Sequence, residues 1–279
     1  MVARRKSLPS KEQTPTNRLS STKPQSQLRL RVFAGPNGSG KSTVIHYVRN
    51  IKVKKHFIDF GYYINADDIA VQLRSNSFSF AAFDLNVKPK EFTEVVLLSG
   101  LIGNEFSLAD FQSAFSLRNN ILRLKTPAAA ERLAQIVADF LRKKLLEEQK
   151  KFSFETVFSH PSKLEIMRQA AEAGYKVYLY FVSTESPEIN KFRVKARKAK
   201  NGHDVPEDKI VSRYYRSLDL LFDACQLAYQ VFFFDNSVDG ENSVMFAHFK
   251  SGGGKKKWDR IQKSGVPEWF KKYYSDKVR

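Results

Sequence analysis

Cysteine is almost missing from this chain. Cys225 stands alone among 279 residues, so no disulfide can close within it, and a reducing compartment, the cytoplasm, fits that scarcity. No apolar run approaches the roughly 20 residues of a membrane-spanning helix, so no membrane partner is expected. The first residues lack the apolar stretch of a standard secretory signal. Histidines are few, and lone His203 has no Cys/His pairing beside it, so no zinc site is expected. Acids are scarce too: 29 Asp and Glu face 47 Lys and Arg, a net charge of +18. Such an excess suggests nucleic acid, but its placement argues otherwise. Residues 1–31 hold eight basic residues against one acid, and residues 250–279 hold ten against three. The excess therefore lies mostly in the two ends, as solvated basic tails through which nucleic acid could be touched. A cationic active-site groove is not required.

What is present starts at residue 28. The stretch LRLRVFAGPNGSGKST joins a short apolar run to a glycine-rich loop and a helix-like run. Gly35, Gly40, Lys41 and Ser42 fit G-x-x-x-x-G-K-[ST], the phosphate cradle of P-loop nucleotide-binding proteins. Glycines let successive backbone N–H groups turn towards an anion, and the helix that follows adds its open N–H groups and positive dipole end. The cradle runs Gly35, Pro36, Asn37, Gly38, Ser39, Gly40, Lys41, Ser42 and Thr43. Lys41 is a point charge that can reach the β- and γ-phosphates of ATP, and the Ser42 hydroxyl can serve Mg²⁺.

In chain order, residues 1–26 read as a disordered basic tail. A first strand falls at about 28–34 and its helix at about 41–50. A second short strand at 62–64 ends in Asn65-Ala66-Asp67-Asp68. Acids just past the carboxyl end of such a strand lie where α/β sheets bind ligands. Asp67 is the candidate base, and Asp68 either shares that role or caps the helix over 69–74. Residues 75–125 show no sustained period and read as an insertion of short helices over the substrate side. Thr126-Pro127 starts a helix to about 151, with Leu133, Ile136, Val137, Phe140 and Leu145 as its apolar stripe. A strand at 152–157 carries Glu155 and Thr156 near its end, where a carboxylate could orient substrate or hold Mg²⁺ through water. Segments 175–183 and 230–235 are continuous apolar strands, and a helix is expected over about 207–228. Between them, Arg193, Arg197 and Lys200 recur at i, i+4 and i+7 on one helix face, a cationic stripe suited to a triphosphate. Trp258, Pro267 and Trp269 suggest that part of the basic C-terminal extension, 251–279, packs back on the core. Alternating strands and helices behind a P-loop imply an α/β fold: a doubly wound parallel sheet of about five strands flanked by helices, in a domain spanning 27–250.

Taken in order, AGPNGSGKST, INADDIA, FETVFS, RVKARKAKNGHDVP, SRYYRSL and FFFDNS resemble the zeta-toxin family of P-loop kinases, the toxin half of a bacterial toxin–antitoxin pair. The resemblance covers about residues 28–237. It implies transfer of the ATP γ-phosphate to the 3′-hydroxyl of the amino sugar of UDP-N-acetylglucosamine. It also implies a small helical antitoxin covering the ATP site. Lys41 matches the family's P-loop lysine, Ser42 its Mg²⁺ ligand, Asp67 its base and Glu155 a substrate-site glutamate. Arg193 matches the first of two arginines that clamp the phosphates, and Arg197 is taken as the second. The family's GGH reads Asn201-Gly202-His203 here.

The expected reaction is thus Mg²⁺- and ATP-dependent phosphorylation of a hydroxyl on a small nucleotide or nucleotide-sugar substrate. Two alternatives share some features. A polynucleotide 5′-hydroxyl kinase also combines a P-loop, an Asp and arginines, and the basic tails favour it. A nucleotide-switched ATPase shares the P-loop but lacks here an apolar run ending in two acids and an LSGGQ-like signature.

Overall fold

Five apolar segments become the parallel strands of one sheet. The computed structural model describes residues 27–75, 77–103, 105–199, 205–241, 243–261 and 265–278. The expected tail over 1–26, Lys200 and the loop 201–204 lie outside the described residues. The chain opens with β1 (Arg29–Ala34), α1 (Lys41–Arg49), a small hairpin of β2 (Lys52–Val53) and β3 (His56–Phe57), then β4 (Tyr62–Ile64) and α2 (Ala66–Ser75). Next come β5 (Phe78–Ser79), α3 (Pro89–Leu97), α4 (Leu108–Ala114), β6 (Phe115–Arg118), β7 (Ile121–Leu124), α5 (Ala130–Glu147) and β8 (Phe152–Thr156). The remainder is α6 (Ser162–Glu172), β9 (Lys176–Ser183), α7 (Pro187–Lys198), α8 (Glu207–Asp219), α9 (Leu221–Leu227), β10 (Gln230–Asp235), β11 (Val244–Gly252) and β12 (Lys255–Ile261), with helical turns over 268–278.

The main sheet runs β12-β11-β10-β9-β1-β8-β4. From β10 to β4 every pairing is parallel, which is the expected five-stranded core. From β1 the chain goes out to the edge strand β4 and returns to β8, then crosses β1 to β9 and β10, so connections leave β1 and β9 in opposite directions. The reversal of winding therefore falls at β1, and ligands bind at such a crevice beyond the carboxyl ends of the strands. Side chains alternate across the sheet with period two. Leu30, Val32 and Ala34 join the large core with α5, α6 and α9, while Phe33 faces Val44, Ile45 and Val48 of α1. The stripe foreseen on α5 is buried throughout.

Three expectations change. First, β11 and β12 add an antiparallel hairpin to the sheet, so the boundary expected at 250 falls inside a strand. Gly253 and Gly254, with φ of +58° and +73°, make the tight two-residue turn that right-twisted strands favour. Trp258, Phe270 and Tyr274 then close around Phe233, and Trp269 is buried. Second, the insertion holds a three-stranded antiparallel sheet, β5-β7-β6, besides its helices. Its phenylalanines seat on α5, with Phe92 5.0 Å from Phe140 between ring centres. It lines none of the cleft described below. Third, the helix foreseen at 207–228 breaks at Leu220 into α8 and α9.

Candidate active site

β1 delivers the chain to Gly35 at the carboxyl edge of the sheet. Gly35, Gly38 and Gly40 have φ of +146°, +77° and +93°, a region that strains other residues. Close packing adds a second demand. A Cβ on Gly35 would stand 2.0 Å from Val182 O, on Gly38 2.7 Å from Asn190 O, and on Gly40 2.2 Å from Asn236 Nδ2. Two asparagines pin the loop. Asn190 of α7 donates Nδ2 to Asn37 O at 2.6 Å and accepts from the Thr184 hydroxyl. Asn236, just past β10, donates Nδ2 to Ser39 O at 2.9 Å.

The loop leaves anion-binding capacity unspent. Gly40 is the N-cap of α1 and supplies no capping side chain, so no side-chain oxygen competes for the open N–H groups of the first turn. The Ser39 hydroxyl is buried with no partner among the described residues, as is Asn37 Oδ1. A phosphate chain fits this donor set. Thr43 is exposed on the same turn. The exposed Ser42 hydroxyl opens into a cleft of about 290 Å³ that Glu155 and Asp68 also line; oxygen ligands of this kind suit a hard divalent cation. Among the described residues no cluster of three His, Cys, Asp or Glu could hold a metal by itself.

Lys41 is only 8% exposed. Its Nζ donates to Pro36 O at 3.0 Å and lies 3.9 Å from Glu155 Oε1. Burial holds its pKa below the usual lysine range; Glu155 and then Asp67 oppose that shift, and Arg197 reinforces it. Those three charges are therefore the electrostatic neighbours of the loop lysine.

Register explains the meeting of Lys41 and Glu155. Glu155 pairs with Phe33, and Phe154 pairs with Ile64. Glu155 thus lies level with the last turn of β1 and beside Asn65. Asn65 Nδ2 and Tyr63 Oη each donate to Glu155 Oε2 at 3.2 Å. Burial, then the Glu155 charge, pushes the Tyr63 phenol up, so it stays a donor at physiological pH. Thr156 accepts from the Phe158 N–H at 3.1 Å and braces the turn after β8, where Phe158 takes φ of +60°.

Asp67 and Asp68 lie in the first turn of α2, not ahead of it. The expected cap is corrected accordingly: Asn65 Oδ1 accepts the Asp67 N–H at 2.8 Å, and Asp68 instead lines the cleft. Burial and the neighbouring Asp67 charge raise the Asp68 pKa, against Arg49.

The cationic stripe on α7 also divides. Arg193 is committed to the loop after β10: Nη1 donates to Asn236 O at 2.6 Å, Nη2 to Val238 O at 3.2 Å, and Nε lies 3.4 Å from Asp239 Oδ1. Every guanidinium nitrogen has a protein partner, and two of the five N–H donors remain for an external anion. The anion it finds, Asp239, comes from outside the α7 segment. Arg197, one turn on, is the α7 arginine whose charge bears on Lys41. Sequence reasoning missed Asn190 and Asn236 as loop supports. A polar residue at 190, between the apolar Ile189 and Phe192, and the Asn-Ser end of the apolar strand were the available signals.

Comparison with known proteins gives the following. Residues 119–237 match the family model described as Zeta toxin. That span holds Glu155, Asn190, Arg193, Arg197 and Asn236; Lys41 and Asp67 precede it. An uncharacterized protein of Haemophilus influenzae is 36% identical over 63 residues, 23% of this chain and 45% of its own length. The AvrRxo1-ORF1:AvrRxo1-ORF2 complex with sulphate ions is similar in fold at 16% identity and a TM-score of 0.47, over 87% of this chain and 66% of that one. A structure from the PezAT chromosomal toxin–antitoxin system of Streptococcus pneumoniae gives 14% identity and a TM-score of 0.43, over 79% and 71%. The chain thus spans under half of the curated relative and just under two thirds of the AvrRxo1 chain. Overlap at this level is too loose to carry a residue assignment.

Proposed function

We propose that this chain, whose residues 119–237 match the family model described as Zeta toxin, is a kinase of that family that moves the ATP γ-phosphoryl group onto a hydroxyl of a small nucleotide-type acceptor. One observation carries the reading. A buried loop lysine stands 3.9 Å from a strand-end glutamate, beside a cleft that this glutamate, Ser42 and Asp68 line, and the charges of Asp67 and Arg197 also bear on it. These are the groups that phosphoryl transfer needs, since the protein's part is to position reactants and neutralise charge.

Bound ATP supplies the phosphoryl group, and the loop N–H groups and the Ser39 hydroxyl hold its phosphates. Ser42 would hold Mg²⁺, which would shield the phosphate charge. Asp67 accepts the proton of the acceptor hydroxyl as that oxygen bonds to the γ-phosphorus. The bond from γ-phosphorus to the bridging oxygen breaks, and ADP leaves with its electron pair. Lys41 and Arg197 neutralise the charge on the transferring group. Glu155, fixed by Tyr63 and Asn65, keeps Lys41 aimed across the cleft and offers the acceptor a hydrogen-bond acceptor. Asn190 and Asn236 keep the loop in shape.

UDP-N-acetylglucosamine is the acceptor that the family resemblance favours, and a small helical antitoxin is the protein partner it favours. Incubating the full chain with ATP, Mg²⁺ and a bacterial metabolite extract should yield a species heavier by one phosphate. Lys41→Ala and Asp67→Asn should abolish it. ATP hydrolysis with no phosphorylated acceptor, or full turnover by Asp67→Asn, refutes the assignment.

A further inference from the structure

The cleft beside the P-loop has a second end. Ser42, His46 and Arg49 sit at i, i+4 and i+7, so one face of α1 lines the cleft from the nucleotide loop to the helix end. Tyr63, Asn65, Asp68 and Glu155 line it opposite. Asp68 and Glu155 are acidic, and the lining has one permanent cation, Arg49.

Arg49 is held in an unusual way. Its guanidinium lies 4.4 Å from the ring centre of Tyr63 and 5.2 Å from that of Phe60. Among the described residues no carboxylate or carbonyl takes its N–H groups. Stacking fixes the plane of a guanidinium while leaving its five donors at the edge. Tyr63 is itself fixed by Glu155, so the arginine, the ring and the site carboxylate form one connected unit. A bland role exists, since a cation in the last turn suits the helix dipole. That role needs neither the ring faces nor a place in the cleft wall.

Resting on the kinase reading above, we propose that Arg49 is the acceptor's anion anchor. The acceptor is then a hydroxyl compound that already bears a phosphate or phosphate diester, gripped by the Arg49 fork while its hydroxyl reaches Asp67. Seven residues of helix separate Ser42 from Arg49, about 10 Å of rise, and helical side chains lean back towards the N-terminus. The anionic group therefore lies somewhat under that distance from the metal end. Asp68 and Glu155 wall the cleft, Lys41 is committed to Pro36 O and Glu155, and Arg49 is the permanent cation in the lining that an anionic acceptor can meet.

The test uses the full chain, Arg49→Met, which keeps an apolar stem over the rings, and Arg49→Lys, which keeps the charge without the fork. UDP-N-acetylglucosamine, N-acetylglucosamine and the metabolite extract are offered with ATP and Mg²⁺. Every product from the extract should carry a phosphate besides the new one, and the neutral sugar should not be used. For the phosphorylated acceptor that is turned over, Arg49→Met should raise KM roughly ten- to hundredfold, with the KM for ATP unchanged and Arg49→Lys in between. The ATP-induced rise in melting temperature should persist in both variants, which shows them folded. Turnover of phosphate-free acceptors as good as that of phosphorylated ones, or an unchanged acceptor KM in Arg49→Met, overturns the anchor and leaves the kinase standing. ATP binding with no phosphorylated product from any source overturns both.

Discussion

The two arginines of α7 offer a clean separation of roles. Arg193→Met removes three donors that reach Asn236 O, Val238 O and Asp239, at a side chain only 17% exposed. Hydrogen bonds involving a charged partner contribute about 1.5–3 kcal/mol as a set at such a position, because the freed carbonyls can turn partly to water. For a chain of 279 residues that corresponds to a fall in melting temperature of about 3–5 °C. Part of the loss is local, since Arg193 steadies the loop that carries Asn236, and Asn236 steadies Ser39. Arg197→Met should behave in the opposite way. An arginine that neutralises a transferring phosphoryl group contributes about 10³–10⁵ in rate, so kcat should collapse far beyond what any change in melting temperature accounts for. Differential scanning calorimetry and steady-state phosphoryl transfer on both variants decide the matter. If Arg193→Met melts within a degree of the parent chain while its kcat falls a thousandfold, the strut assignment is wrong and Arg193 is the phosphate clamp.

Gly40→Ala should abolish nucleotide binding measured by calorimetric titration, because its Cβ would meet Asn236 Nδ2 at 2.2 Å with φ at +93°; the left-handed backbone alone costs about 1–2 kcal/mol. Lys163 carries a pH signature. Burial, then Arg142, pulls its pKa down to about 7, with Asp139 opposing and Lys143 adding to the shift. The unfolded chain then binds one more proton than the native one between about pH 7 and 10, so stability from this site rises with pH across that window. Lys163→Met should accordingly stabilise most below pH 7, with the gain fading towards pH 10, as read from urea unfolding at a series of pH values; a gain that is constant with pH refutes it. Cys225 is fully buried and its thiol is pushed well up by that burial, so it should resist a thiol reagent in the native chain and react at once in denaturant.

The sequence was most legible where one residue type has one use. Gly35, Gly40, Lys41 and Ser42 announced the loop, and continuous apolar runs announced the parallel strands. Glu155 could be placed at a strand end, but its partnership with Lys41, Tyr63 and Asn65 depends on the pairing of β8 between β1 and β4, and register across a crossover leaves no local trace. Asn236 acts on a loop some 200 residues earlier, so nothing beside it in sequence signals the contact. The contacts of Arg193 were hidden because its acceptors are mostly backbone carbonyls, which every residue has and no sequence advertises. The C-terminal hairpin was hidden by composition: lysines drew attention to charge, while the apolar alternation in Met245, Ala247 and Phe249 and the glycine pair after it carried the strand signal.

The dependence of the phosphate cradle on Asn190 and Asn236 has a consequence for biosynthesis. A ribosome makes the loop well before its props, which follow the residues they hold by 153 and 197 positions. The Asn236 prop also hangs from a strand whose flank is covered by residues 244–252, made later still. A nascent chain that has not yet reached residues 190 and 236 therefore carries a glycine ribbon without its props, and the loop takes its shape only once those residues and the strands that hold them are in place.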